Sequence, residues 1–330
     1  MEKIHTIVTH FRPHLDEVVG IVLLLWYGEK KYPGIGNAKI TFCDAGTTPD
    51  GKSWQQLEKE GVVLIGTGGS RFDEHPTLHK DRKEGECAAS LVATYLGIGE
   101  EPWLAKLMRY TCVNDTKGGS NPFELAGMIN LMNKRWFDQN PAGTLEWAMN
   151  AVQVYLEEQI KFFTETREAF DKHSEVINST YKGKDIVIVK VTGDNDQLGA
   201  YARSAAGANA DIVIQKNSNG NVVISTKKTS FINLDDVARA IRLKEMRIKN
   251  ITCKNPGDPA LKGEAKVPGA EEWHYHKAAN MLLNGGKSAP GVPPTKIALG
   301  TLVAIVKEEL AKIRHQNNPV RKSEYQKALE

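Results

Sequence analysis

Two histidines and two carboxylates crowd one turn, Thr9-His10-Phe11-Arg12-Pro13-His14-Leu15-Asp16-Glu17, and this turn sets the terms for the rest of the chain. The apolar run at residues 4–8 reads as a buried strand, and residues 18–27 are apolar and helix-length. The polar cluster therefore sits on a strand-to-helix turn. In an open α/β sheet the carboxyl ends of the strands are where ligands bind. Pro13 keeps the two histidines off a common helix face, so they must converge through the turn. Imidazole with carboxylate is a donor set suited to Mn, Zn or Fe.

The pattern repeats downstream. Residues 38–43 read as a second strand ending at Asp44, and residues 62–65 as a third ending in Gly66-Thr67-Gly68-Gly69-Ser70. A short helix at residues 54–59 lies between them. Strands alternating with helices predict a parallel sheet with both faces covered. The glycines allow close backbone approach to an ion or phosphate, and Asp73-Glu74-His75 follows them. Helices are predicted at residues 86–96, 103–113 and 122–136, with Asp115 at a helix end before Gly118-Gly119. Residues 145–173 read as one long amphipathic helix.

The pattern restarts at Lys184. Strands are expected at residues 185–191, 210–215 and 221–226, and helices at 197–206 and 234–245, the latter capped by Asn233 or Asp235. Residues 256–268 read as an exposed insertion. A helix is expected after Glu272-Trp273-His274-Tyr275-His276, followed by the Asn284-Gly285-Gly286-Lys287 turn. A final helix is expected to open at Pro293-Pro294-Thr295-Lys296, with Thr295 as cap, and to run to about residue 313 before a frayed tail at 314–330.

Whole-chain properties agree with a two-domain globular protein. The chain has 330 residues, 41% hydrophobic and 25% charged, with 43 basic and 40 acidic side chains. That balance neither requires nor forbids a nucleic-acid partner. Four scattered cysteines, Cys43, Cys87, Cys112 and Cys253, contain no Cys-x-x-Cys pair and are expected to be buried thiols in a reducing compartment. The longest apolar stretch is too short to cross a bilayer and the first residues lack a signal-peptide core, so a cytoplasmic protein with no membrane partner is expected.

Three strand ends thus deliver metal-type ligands: His10, His14 and Asp16; Asp44; and Asp73 and His75. Asp115 adds a helix end. Two ions about 3.5–4 Å apart could clamp the attacking and leaving oxygens of a phosphoester and activate water. Arg12 suits a phosphate bidentately. Ser225, Lys227, Lys228, His276, Gly285, Gly286, Thr295 and Lys296 offer polar and positive groups from the second half, where turn amides or a helix start would also bind phosphate.

These residues resemble the DHH phosphoesterases, closest to their melanocyte-proliferating (Myg) exonuclease branch. His10-x-Arg12-Pro13-His14-x-Asp16 is similar to the first motif of those enzymes, and Asp73-Glu74-His75 to the Asp-His-His that names them. Thr9-His10, His14-x-Asp16-Glu17 and Arg71-Phe72-Asp73-Glu74-His75 match the Myg pattern, and Asn114-Asp115 is similar to its Asp-Asn-Gly turn. His276, Gly285-Gly286 and Thr295-Lys296 look like its C-terminal elements. Departures are Gly66, where members carry an aspartate, Glu74 in place of the middle histidine, and a missing Gly-Gly-Gly-His run.

The resemblance implies two lobes: a catalytic domain at 1–140, a helical connector at 141–183 and a DHH-associated substrate-binding domain at 184–330. It implies one or two Mn2+ ions, with Mg2+, Fe2+ or Zn2+ as alternatives, held by His10, His14, Asp16, Asp44, Asp73 and Asp115, with Asp73 and His75 catalytic. The implied substrate is a short or single-stranded nucleic acid, or a small nucleotide, and the reading allows a homodimer. Alternative readings are a pyrophosphate or small-nucleotide hydrolase, and a non-catalytic nucleotide-binding protein with a decayed site.

Overall fold

The computed structural model describes residues 3–75, 85–286 and 289–312. The expected tail at 314–330, the end of the last helix at 313 and Lys287 lie outside them. The chain divides into two compact units, Met1–Phe163 and Thr164–Glu330.

The first unit is built on β1 (Thr6–His10), α1 (Leu15–Tyr27), β2 (Lys39–Cys43), α2 (Trp54–Lys59) and β3 (Val62–Leu64), followed by helices α3 (Ala88–Leu96), α4 (Ala105–Lys117), α5 (Leu125–Trp136) and α6 (Pro141–Phe163). The sheet order is β2-β1-β3, all parallel. Because strand side chains alternate, Ile7 and Val63 face the main core while Val8 and Leu64 pack on Leu57 of α2. The α1 sequence is apolar nearly all round, and residues 15–24 are all buried, as such a helix requires. Its Gly20 lets α3 approach: a Cβ there would lie 2.4 Å from Ile65 Cδ1 and 3.5 Å from Ala89 Cα. Cys87 and Cys112 form a disulfide, and Cys43 and Cys253 are free and half-buried. Four buried thiols were expected, so the compartment inference drawn from unpaired cysteines falls away.

The second unit contains α7 (Glu165–His173), β4 (Ser174–Tyr181), β5 (Lys184–Thr192), α8 (Leu198–Arg203), β6 (Ile212–Lys216), β7 (Val222–Thr226), α9 (Asp235–Ile248), β8 (Trp273–His276), β9 (Met281–Asn284) and α10 (Leu299–Lys312). Its sheet order is β4-β5-β6-β7-β9-β8, with β5–β6 parallel and the other pairs antiparallel. Ile188, Ile214, Ile224, Trp273 and Leu282 form its core with Ile241 of α9 and Val306 of α10. Fully buried Arg242 is held by carbonyls: it donates to the backbone of Ala260, Leu261, Gly263, Ala265 and Trp273.

Four expectations are corrected. The single helix at 145–173 breaks at Thr164, whose φ of −111° and ψ of −87° are not helical. β4 was not foreseen. The segment after His276 is the β8–β9 hairpin, not a helix. Thr295 does not cap α10, which begins four residues later; its hydroxyl hydrogen bonds the buried Glu245 carboxylate, which also accepts from the Trp273 indole. No helix among the described residues is long and apolar enough to cross a membrane.

Candidate metal centre

The carboxyl end of β1 delivers His10, and the chain then turns sharply through Arg12, which takes a positive φ of 58°. His14 caps α1, which places Asp16 and Glu17 in its first turn. Glu17 Oε2 accepts from the His14 backbone N–H at 2.7 Å, as a third-position acid commonly does at a helix start. Its other oxygen, Oε1, lies 3.1 Å from His10 Nε2. Across the His10 ring, Nδ1 lies 2.8 Å from the Phe11 carbonyl and donates to it, which fixes the ring and turns Nε2 inward. The His10 and His14 rings stand edge-on, with centroids 5.4 Å apart.

The loop after β3 supplies the opposing ligands. Asp73 Oδ2 accepts from Gly69 N–H at 2.7 Å, and Oδ1 accepts from His75 N–H at 3.1 Å and lies 2.9 Å from His75 Nδ1. Asp73 and Glu74 are buried, while His75 is exposed at the mouth. Together with Asn114, Asp115, Gly118 and Gly119 from the end of α4, and Asn130 of α5, the residues His10, His14, Asp16, Glu17, Asp73 and His75 line a cavity of about 670 Å³, with Glu74 buried behind them.

Three overlapping ligand groups result: His10–His14–Glu17, Asp73–Glu74–His75 and Asp16–Glu17–Glu74. Within each, one donor atom per residue lies within 4.8 Å of the others. Burial and the neighbouring carboxylates Glu17, Asp115 and Glu74 push the Asp16 carboxyl well up. Burial raises Glu74 too, against the opposing pull of a backbone N–H and of His75. Burial lowers His10, but the hydrogen bond and charge of Glu17 outweigh it and push the imidazole up to about 9. Burial raises Glu17, yet His10 and His14 hold it down at about 2. Among the described residues, Asp16 Oδ1 and both oxygens of Glu74 are buried and accept no hydrogen bond, although His75 Nδ1 lies 3.3 Å from Glu74 Oε1. Orphaned buried carboxylate oxygens carry a large desolvation penalty that a bound cation would relieve. The mixed oxygen and imidazole donors fit a divalent ion such as Mn2+, Fe2+ or Zn2+.

Of the six ligand positions expected from sequence, His10, His14, Asp16, Asp73 and Asp115 line this cavity. Asp44 does not: it is exposed, and its carbonyl accepts from the amide and hydroxyl of Thr47. That turn carries the side chain away, leaving Ala45 and Gly46 at the cavity. Glu17 and Glu74 were not counted as ligands. The sequence signal for Glu17 is its place three residues into a helix capped by a histidine; for Glu74, whose burial only the fold shows, it is its place inside the Asp73-Glu74-His75 run.

The remaining expected residues are placed as follows. Arg12 pairs with Asp138 at 2.6 Å. In the second unit, Lys227 and Lys228 line a separate cavity of about 590 Å³ with Phe231, Asn233 and Lys277, and Lys227 donates to Asn209. Ser225 accepts from Arg203, and His276 Nδ1 accepts from Ala279 N–H at 3.1 Å within the hairpin. Gly285 and Gly286 keep positive φ, and the Lys296 amide donates to Glu245 at 3.0 Å.

No family model and no curated protein matches the chain. Among solved structures it is similar to one described as a member of the s1p family of ribosomal proteins, DHH domain, at 10% identity, covering 94% of this chain and 88% of the other, with a TM-score of 0.32. It is similar to an uncharacterized protein from Helicobacter pylori G27 at 10% identity, 94% and 99% coverage, and a TM-score of 0.26. It also matches RecJ in complex with Mg2+ from Thermus thermophilus at 12% identity, covering 93% of this chain and 54% of that one, with a TM-score of 0.24. All three scores lie below 0.5, so the chemistry is read from this chain's own side chains.

Proposed function

We propose that the protein is a metal-dependent phosphoesterase acting on phosphodiester bonds of short or single-stranded nucleic acids. The observation that carries this reading is the set of three triads, His10–His14–Glu17, Asp16–Glu17–Glu74 and Asp73–Glu74–His75, linked through Glu17 and Glu74, with buried Asp16 and Glu74 oxygens that accept no hydrogen bond among the described residues. A divalent cation bound there would supply Lewis acidity and lower the pKa of water. Asp16, Glu17 and Glu74 would hold it from the buried side, with His10, His14 and Asp73 completing the set. The Phe11 carbonyl keeps the His10 proton on Nδ1 and so leaves Nε2 as the donor atom. Asp73 orients His75 through Nδ1–H, which leaves the exposed Nε2 free to take a proton from solvent and, as the imidazolium Nε2–H, to pass it to the leaving oxygen.

The test is a hydrolysis screen of metal-depleted protein with added Mn2+, using single-stranded oligonucleotides, dinucleotides and pyrophosphate. Cleavage of oligonucleotides by the wild-type protein and its loss in Asp16→Asn support the reading. Turnover of pyrophosphate or dinucleotides alone would favour a small-nucleotide hydrolase, and full activity in Asp16→Asn would remove this site from the reaction.

A further inference from the structure

Beside the metal centre lies a second cavity of about 370 Å³, lined by Arg12, His14, Asn130, Asn133 and Lys134. His14 and Asn130 line both cavities, so the two are contiguous. Their charge is opposite in sign. The inner one is lined by three buried acids, Asp16, Glu17 and Asp73, and by Asp115; the outer one is lined by two cations and two amides. Resting on the phosphoesterase reading, we infer that the outer cavity is a phosphate subsite, formed by Arg12, Lys134 and Asn130, for the nucleotide next to the cleaved bond. The preferred substrate is then a chain with at least two phosphates.

Three observations carry this. Arg12 is held in a left-handed conformation that a non-glycine residue adopts at a cost, and such strain gathers at functional turns. The turn is fixed from behind, since the buried Asn133 side chain donates to the Pro13 carbonyl at 2.8 Å. The Arg12 guanidinium already accommodates an oxyanion: one nitrogen contacts both Asp138 oxygens, at 2.9 and 2.6 Å. That pair is solvent-exposed, 53% on the arginine and 74% on the aspartate, so it contributes only about 0–1 kcal/mol. A phosphate, matching the guanidinium fork and reinforced by Lys134, displaces it readily. Asp138 is thus a weak internal competitor, whose removal strengthens anion binding.

The experiment is fluorescence anisotropy of a fluorescein-labelled hexathymidylate in EDTA, so that nothing is cleaved. It compares wild type, Arg12→Ala, Lys134→Ala, Asp138→Asn and Lys106→Ala, the last an exposed lysine on α4 outside both cavities. The expected result is a Kd raised about tenfold in Arg12→Ala and Lys134→Ala, each with a salt slope shallower by about 0.7. Asp138→Asn lowers Kd about threefold by freeing Arg12, and Lys106→Ala stays within about twofold of wild type. Equal Kd values in all five proteins overturn the subsite, as does weaker binding in Asp138→Asn or no wild-type binding at about 1 mM protein. Hydrolysis of bis(p-nitrophenyl) phosphate by the wild-type protein in Mn2+ reports on the metal centre separately. Its absence sinks the hydrolase reading and leaves the anisotropy ratios to decide the subsite.

Discussion

Glu17 occupies the space that any side chain on Gly66 would need. A Cβ built on Gly66 lies 2.5 Å from Glu17 Oε1 and 2.6 Å from its Cγ, and the glycine backbone has a φ of +63°. The carboxylate that couples His10 to the start of α1 therefore depends on a bare backbone at the end of β3.

Gly66→Ala is expected to destabilise the protein by about 2–4 kcal/mol, combining overpacking with left-handed backbone strain. Gly66→Asn, which tolerates the backbone but not the contact, should recover only the smaller share. Chemical denaturation of Gly66→Ala in the background of Glu17→Ala isolates the contact: removing Cγ and the carboxylate should shrink the alanine cost by more than about 1 kcal/mol, on the order expected for touching residues. Additive costs would show that the two side chains do not compete for space.

The metal-free protein should lose stability as pH rises above neutrality. The His10 imidazole is raised from 6.5 to about 9, so its contribution is complete below pH 6.5 and disappears as pH rises through about 9. The Glu17 carboxyl is lowered from 4.5 to about 2, so its contribution is present above pH 4.5 and disappears as pH falls through about 2. Both contributions are complete between pH 4.5 and 6.5. Denaturation of EDTA-treated protein at about pH 6.5 and about pH 9.5 should differ by on the order of 2–3 kcal/mol from His10 alone. In His10→Gln the part of the slope between about pH 6.5 and 9 should vanish; an unchanged slope would mean that His10 is not held as an imidazolium in the folded state.

Glu74→Gln separates electrostatic strain from ligation. With no cation present, removing one of three crowded buried acids should leave the melting temperature unchanged or higher. With added Mn2+, the wild-type protein should gain more stability than the variant, because ligand binding to the native state stabilises by mass action. Equal gains in both proteins, read by differential scanning calorimetry, would remove Glu74 from the ligand set.

Arg242→Met tests the second unit. Buried Arg242 holds five backbone carbonyls, and its loss leaves them without that partner, for a cost of about 3–5 kcal/mol. Calorimetry should show that loss, while Mn2+ affinity stays within about twofold because every proposed ligand lies in the first unit. A matching fall in Mn2+ affinity would contradict the separation.

Much of the first unit was legible because its strands are apolar and end in polar punctuation. The helix at 54–59 and the strand ends carrying His10 and Asp73 stand where expected. β4 was invisible because Ser174–Tyr181 is a largely polar edge strand, with only Tyr181 fully buried. The segment between His276 and the Asn284 turn reads as helix from sequence because so short an apolar run as Met281-Leu282-Leu283 fits either period. Glu17 was underrated because burial and a shared hydrogen bond with His10 arise only once the turn has folded. Asp44 was overrated because nothing local records that its carbonyl closes a turn onto Thr47.

The sharpest test of the metal centre is anomalous diffraction at the manganese edge from crystals grown with Mn2+. A peak is expected bounded by Asp16, Glu17 and Glu74, with His10 or Asp73 completing its coordination. A well-ordered cavity with no peak, or manganese bound only elsewhere, would contradict it.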